Sequence, residues 1–445
     1  MVILYICTQP FSDFCIYYAE TYKRSIMRLR EIIITVVLAL PCLYACEKAD
    51  PTLKSEPGTP YTLTKAQIEM VKGVNVFAFN LLDAVSDDAR FKEKDFMVSP
   101  LSISFVLGAL NNGAIGETSR EILKATGYEG CSPADINEHC RYILQGSSGI
   151  DNLVKVKVAN AVMVREGYEL KEGFSKALET YYDAYVRSMK FDAKALEVIN
   201  GWCNEQTEGL IPKILDQINP GACLYAMNSI YFKGAWAEKF EKGNTRQEAF
   251  TNIDGTSDKV WMMHMEDWFD YSSNEIWATV RLPYGNGSYS MYLFLPHEGK
   301  SIGEMIDALD FTAWENEKSR MNSCQVDLKM PRFETETDID LIDIMKSLGM
   351  ERAFDAQKAE FGEMFTNTQG NVHLGILKQK SKITVNEEGT EAAAVTIGGM
   401  LDTAAPPVAT GPVTFHADRP FVYLIQERSS NAIFFFGAKV GIVAK

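Results

Sequence analysis

The chain lacks the sequence motifs on which most enzymes and nucleic-acid-binding proteins depend. Its 445 residues contain no G-x-S-x-G elbow, no Walker loop and no dinucleotide-binding fingerprint. The five histidines show no metal-ligand spacing such as H-E-x-x-H, and no two of the nine cysteines are separated by two residues as in a zinc knuckle. The net charge of −15, without a basic block, disfavours nucleic acid and anionic lipid headgroups as partners. We therefore expect no cofactor, no metal, no nucleic-acid partner and no enzymatic activity.

One pair of adjacent carboxylates, Glu387 and Glu388, has the composition of an acid–base pair. Neighbouring residues of a strand point to opposite faces, so the two carboxylates would not converge on a substrate. The pair therefore does not change the expectation that the chain is not an enzyme.

The composition is that of an ordinary globular protein, with 46% hydrophobic and 23% charged residues. Apolar residues recur at helical spacing from Ile68 to Val85, and Ser99-Pro100 is a typical helix start. Further helices are predicted from a capping box at Thr118 and Glu121 to Gly127, from Phe174 to Tyr185 and around Ile199 to Trp202. Strands are predicted at 154–158, 224–232, 276–282, 289–295, 325–333, 421–425 and 433–440. The predicted helices lie mainly in the first half of the chain and the strands mainly in the second half. Because strands and helices do not alternate regularly as in βαβ units, this order favours an α+β fold.

Small residues alternate in the segment 390–396, which follows a strand-like run. Thr390, Ala392, Ala394 and Thr396 occupy every second position, so an extended form has one compact face that a sheet interior can accept. Residues 398–411 have no helix or strand period and are typical of an exposed loop. On composition alone, the segment is also compatible with an Ala-rich linker.

Five motifs in their expected order make the chain resemble the serpin family from residue 63 to residue 445. The hinge of the serpin reactive-centre loop is similar to NEEGTEAAAVT (386–396), and the strand after that loop is similar to HADRPF (416–421). The other three motifs are VSPLS (98–102), NSIYFKGAW (228–236) and FFFG (434–437). The resemblance implies an α+β fold with helices packed on a large central, mostly antiparallel sheet, further smaller sheets and an exposed reactive loop.

The resemblance also implies a serine protease inhibitor that works by suicide trapping. A target protease attacks the loop, and the cleaved hinge inserts into the central sheet as a new strand. The hinge residues that the resemblance assigns are Glu387, Gly389, Thr390, Glu391, Ala392, Ala393 and Ala394. The face that would be buried, from Thr390 to Met400, carries no charge. The alternative is a serpin that has kept the fold and acts as a binding or chaperone protein.

Counting along the hinge places the reactive bond between Thr403 and Ala404. A count from the other end of the loop favours a bond between residues 406 and 409, and we rely on the hinge count because the length of the inserted strand is fixed mechanically. Small and apolar residues around the bond suit an elastase-like or subtilisin-like serine protease, with cysteine proteases as secondary targets. No Lys or Arg lies between Lys382 and Arg419, which disfavours trypsin-like targets.

Five residues match the serpin shutter and breach, where the central sheet opens. The resemblance assigns them as Ser99, Ser102, Asn228 and Gln379 in the shutter and Trp236 at the breach. Serpins usually have a histidine where this chain has Gln379, but a glutamine side chain can also both donate and accept a hydrogen bond. The two serines also suit simple helix capping, and Trp236 suits core packing.

The N-terminal residues 1–45 are predicted to be a signal peptide. A short basic stretch after Met27, the suspected true start, precedes an apolar run that ends at Cys46 in a sequence similar to a bacterial lipobox. We expect Cys46 to be lipidated, residues 46–62 to be a flexible tether and residues 63–445 to be the serpin domain. An uncleaved anchor or a plain secretory signal is the alternative. The expected location is extracellular or in the cell envelope, anchored to the outer membrane by lipid alone, and the expected state is a monomer.

Overall fold

Six of the nine α-helices in the described ranges begin after a residue whose side chain caps the free helix end. The computed structural model describes residues 58–147, 149–219, 221–367, 372–390 and 411–441. Thr64 and Gln67 form a capping box, and the Ser99 side chain caps the helix that starts at Pro100. The helices in the described ranges are α1 (Lys65–Asp87), α2 (Pro100–Asn111), α3 (Gly116–Ala125), α4 (Pro133–Gly146), α5 (Glu172–Tyr182), α6 (Ala193–Gln206), α7 (Ile302–Ala308), α8 (Phe311–Arg320) and α9 (Ile342–Ser347). None of these helices combines the length and apolarity that a membrane span requires.

Strands dominate the second half of the chain, as the alternation of apolar residues predicts. The hairpin around residues 285–287 is confirmed, with Gly285 and Gly287 both at positive φ. The strands in the described ranges are β1 (Phe96–Val98), β2 (Val154–Arg165), β3 (Ala184–Met189), β4 (Leu224–Ala235), β5 (Arg246–Thr251), β6 (Ser257–Ser273), β7 (Trp277–Tyr284), β8 (Tyr289–Pro296), β9 (Asn322–Pro331), β10 (Phe333–Asp340), β11 (Lys378–Asn386), β12 (Gly389–Thr390), β13 (Val413–His416), β14 (Phe421–Glu427) and β15 (Ile433–Lys439).

These strands form two sheets. A nine-stranded sheet has the order β1-β15-β14-β8-β7-β6-β9-β13, with β5 paired to β6, and a six-stranded sheet has the order β10-β11-β12-β4-β2-β3. All described pairs are antiparallel except β13 with β9 and β2 with β3. The run predicted as one strand from Gln325 to Phe333 is divided at Arg332, so that β9 and β10 belong to different sheets.

Helix α2 packs between the two sheets. All twelve of its residues are buried, and it contacts both β4 of the six-stranded sheet and β15 of the nine-stranded sheet. A helix that is apolar on every side is expected in such a position. The opposite face of the six-stranded sheet is covered in part by α6, whose Ile199 and Trp202 share a separate apolar cluster with Met163 and Met227.

The capping box predicted at Thr118 and Glu121 is wrong. Thr118 lies inside α3, which begins at Gly116, and the N-terminal amides of that helix are capped by a distant carboxylate. Oε2 of Glu360 accepts hydrogen bonds from the amides of Glu117 (3.0 Å) and Thr118 (3.4 Å). The Thr118 hydroxyl instead accepts a hydrogen bond from the amide of Glu360 at 3.0 Å. A tertiary contact has therefore replaced the local cap.

Two further expectations about helices require correction. Helix α5 ends at Tyr182 because Asp183 adopts a left-handed conformation with φ 47°, which places Tyr185 in β3 rather than in the helix. Ile68, which was assigned to the apolar face of α1, is 41% exposed.

The last residues of the predicted tether pack against the domain. Tyr61 is buried, its hydroxyl donates to the carbonyl oxygen of Ile143 at 2.6 Å, and its amide donates to Oγ of Ser429 at 2.9 Å. Tyr61 is thus held at both its backbone amide and its hydroxyl.

Candidate functional site

The predicted hinge enters the six-stranded sheet as a two-residue strand. Gly389 and Thr390 form β12, which pairs with β11 on one side through Val385 and Asn386 and with β4 on the other side. On the β4 side, Gly389 lies opposite Ala235 and Thr390 lies opposite Gly234. Beyond β12 no described residue of β11 pairs directly with β4, so β12 alone joins the two halves of this sheet. Gly389 and Thr390 of the hinge are thus already seated between the two strands where a longer strand would continue.

A buried contact holds Thr390 on the core side of the sheet. Thr390 is 2% exposed, and its hydroxyl lies 2.6 Å from the hydroxyl of Tyr284, a fully buried residue at the end of β7. Burial raises the pKa of Tyr284 well above its ordinary value, so the phenol stays protonated and available as a donor. The rings of Tyr284 and Trp236 stack at 4.4 Å with an interplanar angle of 12°. The predicted breach residue Trp236 therefore lies directly beside the hinge.

Close backbone contact explains the glycine at position 389. Its φ is 145°, which L-residues with a side chain rarely adopt, and an added Cβ would lie 2.1 Å from the carbonyl oxygen of Gly234. The absence of a side chain at Gly389 lets β12 approach β4 closely.

Glu387 and Glu388 form the turn between β11 and β12. The carboxylate of Glu387 is 3% exposed and accepts hydrogen bonds from Nε of Arg332 at 2.8 Å and from the Thr245 hydroxyl at 2.5 Å. Burial raises the pKa of Glu387, but the bonds from Arg332 and Thr245 outweigh it, so that the pKa lies below its ordinary value. The buried Glu387 is therefore charged and fixed beside Arg332, where the chain passes from β9 of one sheet to β10 of the other.

The second carboxylate of the turn is held in the same way by lysines. Glu388 forms ion pairs with Lys239 at 2.7 Å and Lys242 at 2.9 Å, and the two cations lower its pKa despite the opposing effect of partial burial. Its carbonyl oxygen accepts a hydrogen bond from the amide of Trp236 at 3.0 Å, and Nε1 of Trp236 donates to the carbonyl oxygen of Asn386 at 2.9 Å. Backbone and side chains together anchor both ends of the turn.

The structure brings Gln379 against Ser99. The Ser99 amide donates to Oε1 of Gln379 at 2.8 Å, and Nε2 of Gln379 donates to the carbonyl oxygen of Ser99 at 3.1 Å. The Ser99 hydroxyl donates to the carbonyl oxygen of Phe434 at 2.7 Å and also caps α2. One glutamine side chain thus links β11 to the helix beneath the sheet, using both its donor and its acceptor.

A second polar chain connects Ser102 to β4 and β2. The Ser102 hydroxyl bonds Oδ1 of Asn228, Nδ2 of Asn228 donates to Oδ1 of Asn160 at 2.7 Å, and Nδ2 of Asn160 donates to the carbonyl oxygen of Tyr182 at 2.6 Å. The four residues predicted for the shutter therefore form two contacts, one between Gln379 of β11 and Ser99 and the other between Asn228 of β4 and Ser102. The sequence did not predict Asn160, although a polar residue in the middle of an apolar strand is an available signal.

A His–Asp–His cluster holds β13, the strand that follows the predicted loop. Nε2 of His416 lies 3.0 Å from Oδ2 of Asp327, and Nε2 of His264 lies 2.8 Å from Oδ1 of the same carboxylate. Glu266 lies directly across from Asp327 on β6, and the nearby Lys329 is paired with Glu248 on β5, outside this cluster. Burial raises the pKa of Asp327, but the bonds from both imidazoles outweigh it and the pKa is lowered. No pattern in the sequence indicated this cluster.

Several predicted site residues lie outside the described residues, namely Cys46, Glu391, Ala392, Ala393, Ala394, Thr403 and Ala404. The described part of the chain contains no group of His, Cys, Asp and Glu side chains arranged to hold a metal ion. Its five cysteines are free thiols. The described site is thus a hinge strand, its two anchored carboxylates and a polar network beneath the neighbouring strands.

In the described part of the chain, helices pack on a sheet whose two halves are joined by the two-residue strand β12. Comparisons with known proteins identify the family that has this fold. The sequence model of the family described as "Serpin (serine protease inhibitor)" matches residues 72–441. Neuroserpin of Mus musculus is 31% identical over 360 residues, which cover 78% of this chain and 86% of that protein. An uncharacterized serpin-like protein of Thermococcus kodakarensis is 30% identical over 432 residues, which cover 92% and 98% of the two chains.

Among solved structures, the thermophilic serpin Tengpin in its native state matches with a TM-score of 0.76 and 27% identity, covering 88% of this chain and 98% of Tengpin. The chain belongs to the serpin family. The predicted fold class is confirmed, and inhibition of proteases is the general activity that the family description names.

Proposed function

We propose that this chain inhibits a serine protease by trapping it on its own cleaved loop. The observation that carries the proposal is the seated hinge, since Gly389 and Thr390 already form ladder pairs with strands on both sides. Because β12 is already paired with both β11 and β4, further residues can be added to it one at a time. No pair of strands has to separate first. The segment that would extend it, residues 391–403, ends at the predicted reactive bond.

The covalent step uses the target's own catalytic serine. Its oxygen attacks the carbonyl carbon of Thr403, an ester forms, and the bond to Ala404 breaks with a proton passing to the new amino group. Until this step, the chain holds the segment at both ends, through β12 and through β13. Cleavage frees the end that carries the ester, and the segment can then enter the sheet before water hydrolyses the ester.

The register of β12 determines what the segment would meet. If both ladders continue without a bulge, Ala392 falls between Phe232 of β4 and Ile383 of β11, on the same face as Thr390. Further along, Thr396 falls between Asn228 and Gln379, the two polar side chains of the shutter. Small residues would thus face the apolar part of the core, and a hydroxyl would face the polar part.

The length of the insertion would displace the attached protease over the whole sheet. Thirteen further residues at roughly 3.3 Å each span about 43 Å, which is several times the depth of a protease active site. The protease is trapped if insertion of the segment is faster than hydrolysis of the ester, and the seated hinge favours insertion. We propose an elastase-like or subtilisin-like target, because the segment offers small and apolar residues and no Lys or Arg between Lys382 and Arg419.

Mixing the purified chain with elastase, subtilisin and trypsin tests this proposal. We expect a complex stable in SDS, at the summed mass of inhibitor and protease, with elastase or subtilisin and not with trypsin. Clean cleavage of the loop while the protease stays fully active would instead support a non-inhibitory binding protein. Hydrolysis of a model ester by the chain alone would support an enzyme.

We also propose that the chain acts outside the cytoplasm as a monomer tethered by lipid at Cys46. The support is the apolar run that ends in the lipobox-like sequence before Cys46. Labelling cells with radioactive palmitate tests it, with Cys46→Ser as the matched variant. Label on the natural chain and none on the variant is expected, and equal label on both would overturn the proposal.

A further inference from the structure

The outer face of β6, β9 and β13 contains an exposed tryptophan. Trp268 of β6 is 42% exposed, although a large aromatic ring usually gains free energy by burial. It lies directly opposite Gln325 of β9, and two residues further along the same strands Glu266 lies opposite Asp327. Val326, between Gln325 and Asp327, is fully buried, so its two neighbours and the residues opposite them point away from the core.

This face is continuous with the strand that follows the predicted loop. Thr414 of β13 pairs with Asp327 in parallel register, so its exposed side chain lies on the same face. The chain reaches β13 at Val413, one position along the sheet from Gln325 and Trp268. Two strand spacings of about 4.8 Å separate β6 from β13. Trp268 therefore lies about 10 Å from the place where the loop joins the sheet.

A protease held at the predicted reactive bond is large enough to reach this face. The nine residues 404–412, between the bond and Val413, can span at most about 30 Å. A serine protease of about 250 residues has a radius of gyration of about 18 Å and is therefore about 45 Å across. Because the protease is wider than this span, its surface can contact Trp268 while its active site holds the loop.

A negative charge lies beside the tryptophan. The exposed carboxylate of Glu266 accepts a hydrogen bond from Nε2 of Gln325 at 2.9 Å and has no ion-pair partner among the described residues. The carboxylate of Asp327, in contrast, is held by His264 and His416. A free carboxylate next to an exposed indole suits a partner surface with an apolar depression and a cationic rim. The net charge of −15 also attracts a cationic partner from solution.

We propose that Trp268 and Glu266 form a second contact for the target protease, separate from the loop. The indole of Trp268 fills an apolar depression beside the active site of the protease, and Glu266 pairs with a Lys or Arg on its rim. Tryptophan is among the residues that contribute most to binding at protein interfaces. This inference rests on the proposed trapping and adds residues that select the target. The contact acts on association, before the loop is cleaved.

Association kinetics test the proposal, with whichever of elastase and subtilisin forms the SDS-stable complex. We expect Trp268→Ala to lower the association rate constant about tenfold and to leave both the Tm and the ratio of complex to cleaved inhibitor unchanged. Tyr185→Ala is the matched control, since Tyr185 is an aromatic residue of the other sheet that is 46% exposed, and it should associate at the natural rate. Glu266→Gln should slow association at low salt and weaken its dependence on salt.

An unchanged rate constant in Trp268→Ala, with a normal complex in the natural chain, overturns the proposal and leaves trapping intact. No complex with the natural chain overturns the trapping itself.

Footprinting with hydroxyl radicals tests which molecule covers the tryptophan. The probe is the same protease with its catalytic serine replaced by alanine, which binds the loop without cleaving it, and oxidation is read by mass spectrometry. We expect Trp268 to be oxidised in the free chain and protected after the inactive protease is added, while Tyr185 stays equally reactive. Protection of Trp268 in the free chain would assign the face to the chain's own loop or to a second copy and overturn the proposal. Equal oxidation with and without the protease would overturn it as well.

Discussion

The hydroxyl groups of Tyr284 and Thr390 lie 2.6 Å apart in the interior of the protein. Tyr284 belongs to β7 of the nine-stranded sheet, and Thr390 belongs to β12 of the six-stranded sheet. The contact therefore ties the first inserted residues of the hinge to the other sheet. The hinge in this state is a packed part of the core, and changes at its buried positions should affect the intact protein as well as inhibition.

Replacing Thr390 by arginine should convert the inhibitor into a substrate. A guanidinium at a position that is 2% exposed has no partner beside Tyr284, and burying it costs several kcal/mol, so β12 should leave the sheet. The measurement is the ratio of SDS-stable complex to cleaved inhibitor. This ratio should fall at least about tenfold, because a free-energy cost of about 1.4 kcal/mol already corresponds to a factor of ten.

The matched control for this substitution is Thr384→Arg. Thr384 lies on β11 with its hydroxyl directed to Glu334 at 3.3 Å on the outer face, where an arginine finds both solvent and a carboxylate. Its ratio of complex to cleaved inhibitor should stay near that of the natural chain. Equal ratios for the two arginine variants would show that burial of the hinge does not drive trapping.

Gly389→Ala should expel the hinge by steric conflict alone. The added methyl group would lie 2.1 Å from the carbonyl oxygen of Gly234, and the φ of 145° costs about 1–3 kcal/mol for a residue with a side chain. Amide hydrogen exchange should become faster at Trp236, whose amide donates to the turn. Gly411→Ala, where the added Cβ meets nothing within 4 Å, should leave the exchange unchanged. Unaltered protection in Gly389→Ala contradicts the close approach.

Gln379→Ala should lower the free energy of unfolding by about 1–3 kcal/mol, because the buried amide of Ser99 loses its partner. Urea unfolding measures the change. Gln379→His is the informative companion, since an imidazole can also both donate and accept and should restore most of the lost stability. An alanine variant as stable as the natural chain would show that the polar network carries no stability.

The stability contributed by Asp327 should depend on pH in a defined direction. Its pKa in the folded protein is lowered below the ordinary value of 3.8, so the contribution is complete above that value and is lost as the pH falls through the lower folded pKa. The difference in unfolding free energy between the natural chain and Asp327→Asn should therefore shrink in strong acid. Asp343→Asn, at a side chain that is 83% exposed, is the matched surface control. A constant difference from neutral pH to strong acid would contradict the lowered pKa.

Local signals in the sequence were sufficient where the interacting residues are near neighbours in the chain. The cap at Ser99 and the glycine turn of the β7–β8 hairpin depend on contacts within a few residues, and both were predicted correctly. The capping box at Thr118 failed because the actual partner, Glu360, lies more than two hundred residues away in sequence. The local capping pattern was therefore replaced by a tertiary contact, which the neighbouring sequence does not reveal.

The same distinction applies to the site. The alternation of small residues after Glu388 predicts a strand with one compact face, and the family resemblance assigned Gln379 to the shutter. Arg332 and Tyr284 were missed, because their contacts with Glu387 and Thr390 exist only where two sheets meet. The weak signal for Arg332 is its position in an otherwise alternating apolar run, where a lone cation indicates a break between strands.

The division of one run at Arg332 has a mechanical consequence. β9 borders β13 in one sheet, β10 borders β11 in the other, and a single residue separates β9 from β10. The two points at which the predicted loop is attached, after Thr390 and before Val413, are therefore connected through the backbone of one arginine, whose side chain also holds Glu387. We therefore expect a force applied at one attachment point to reach the other through this connection.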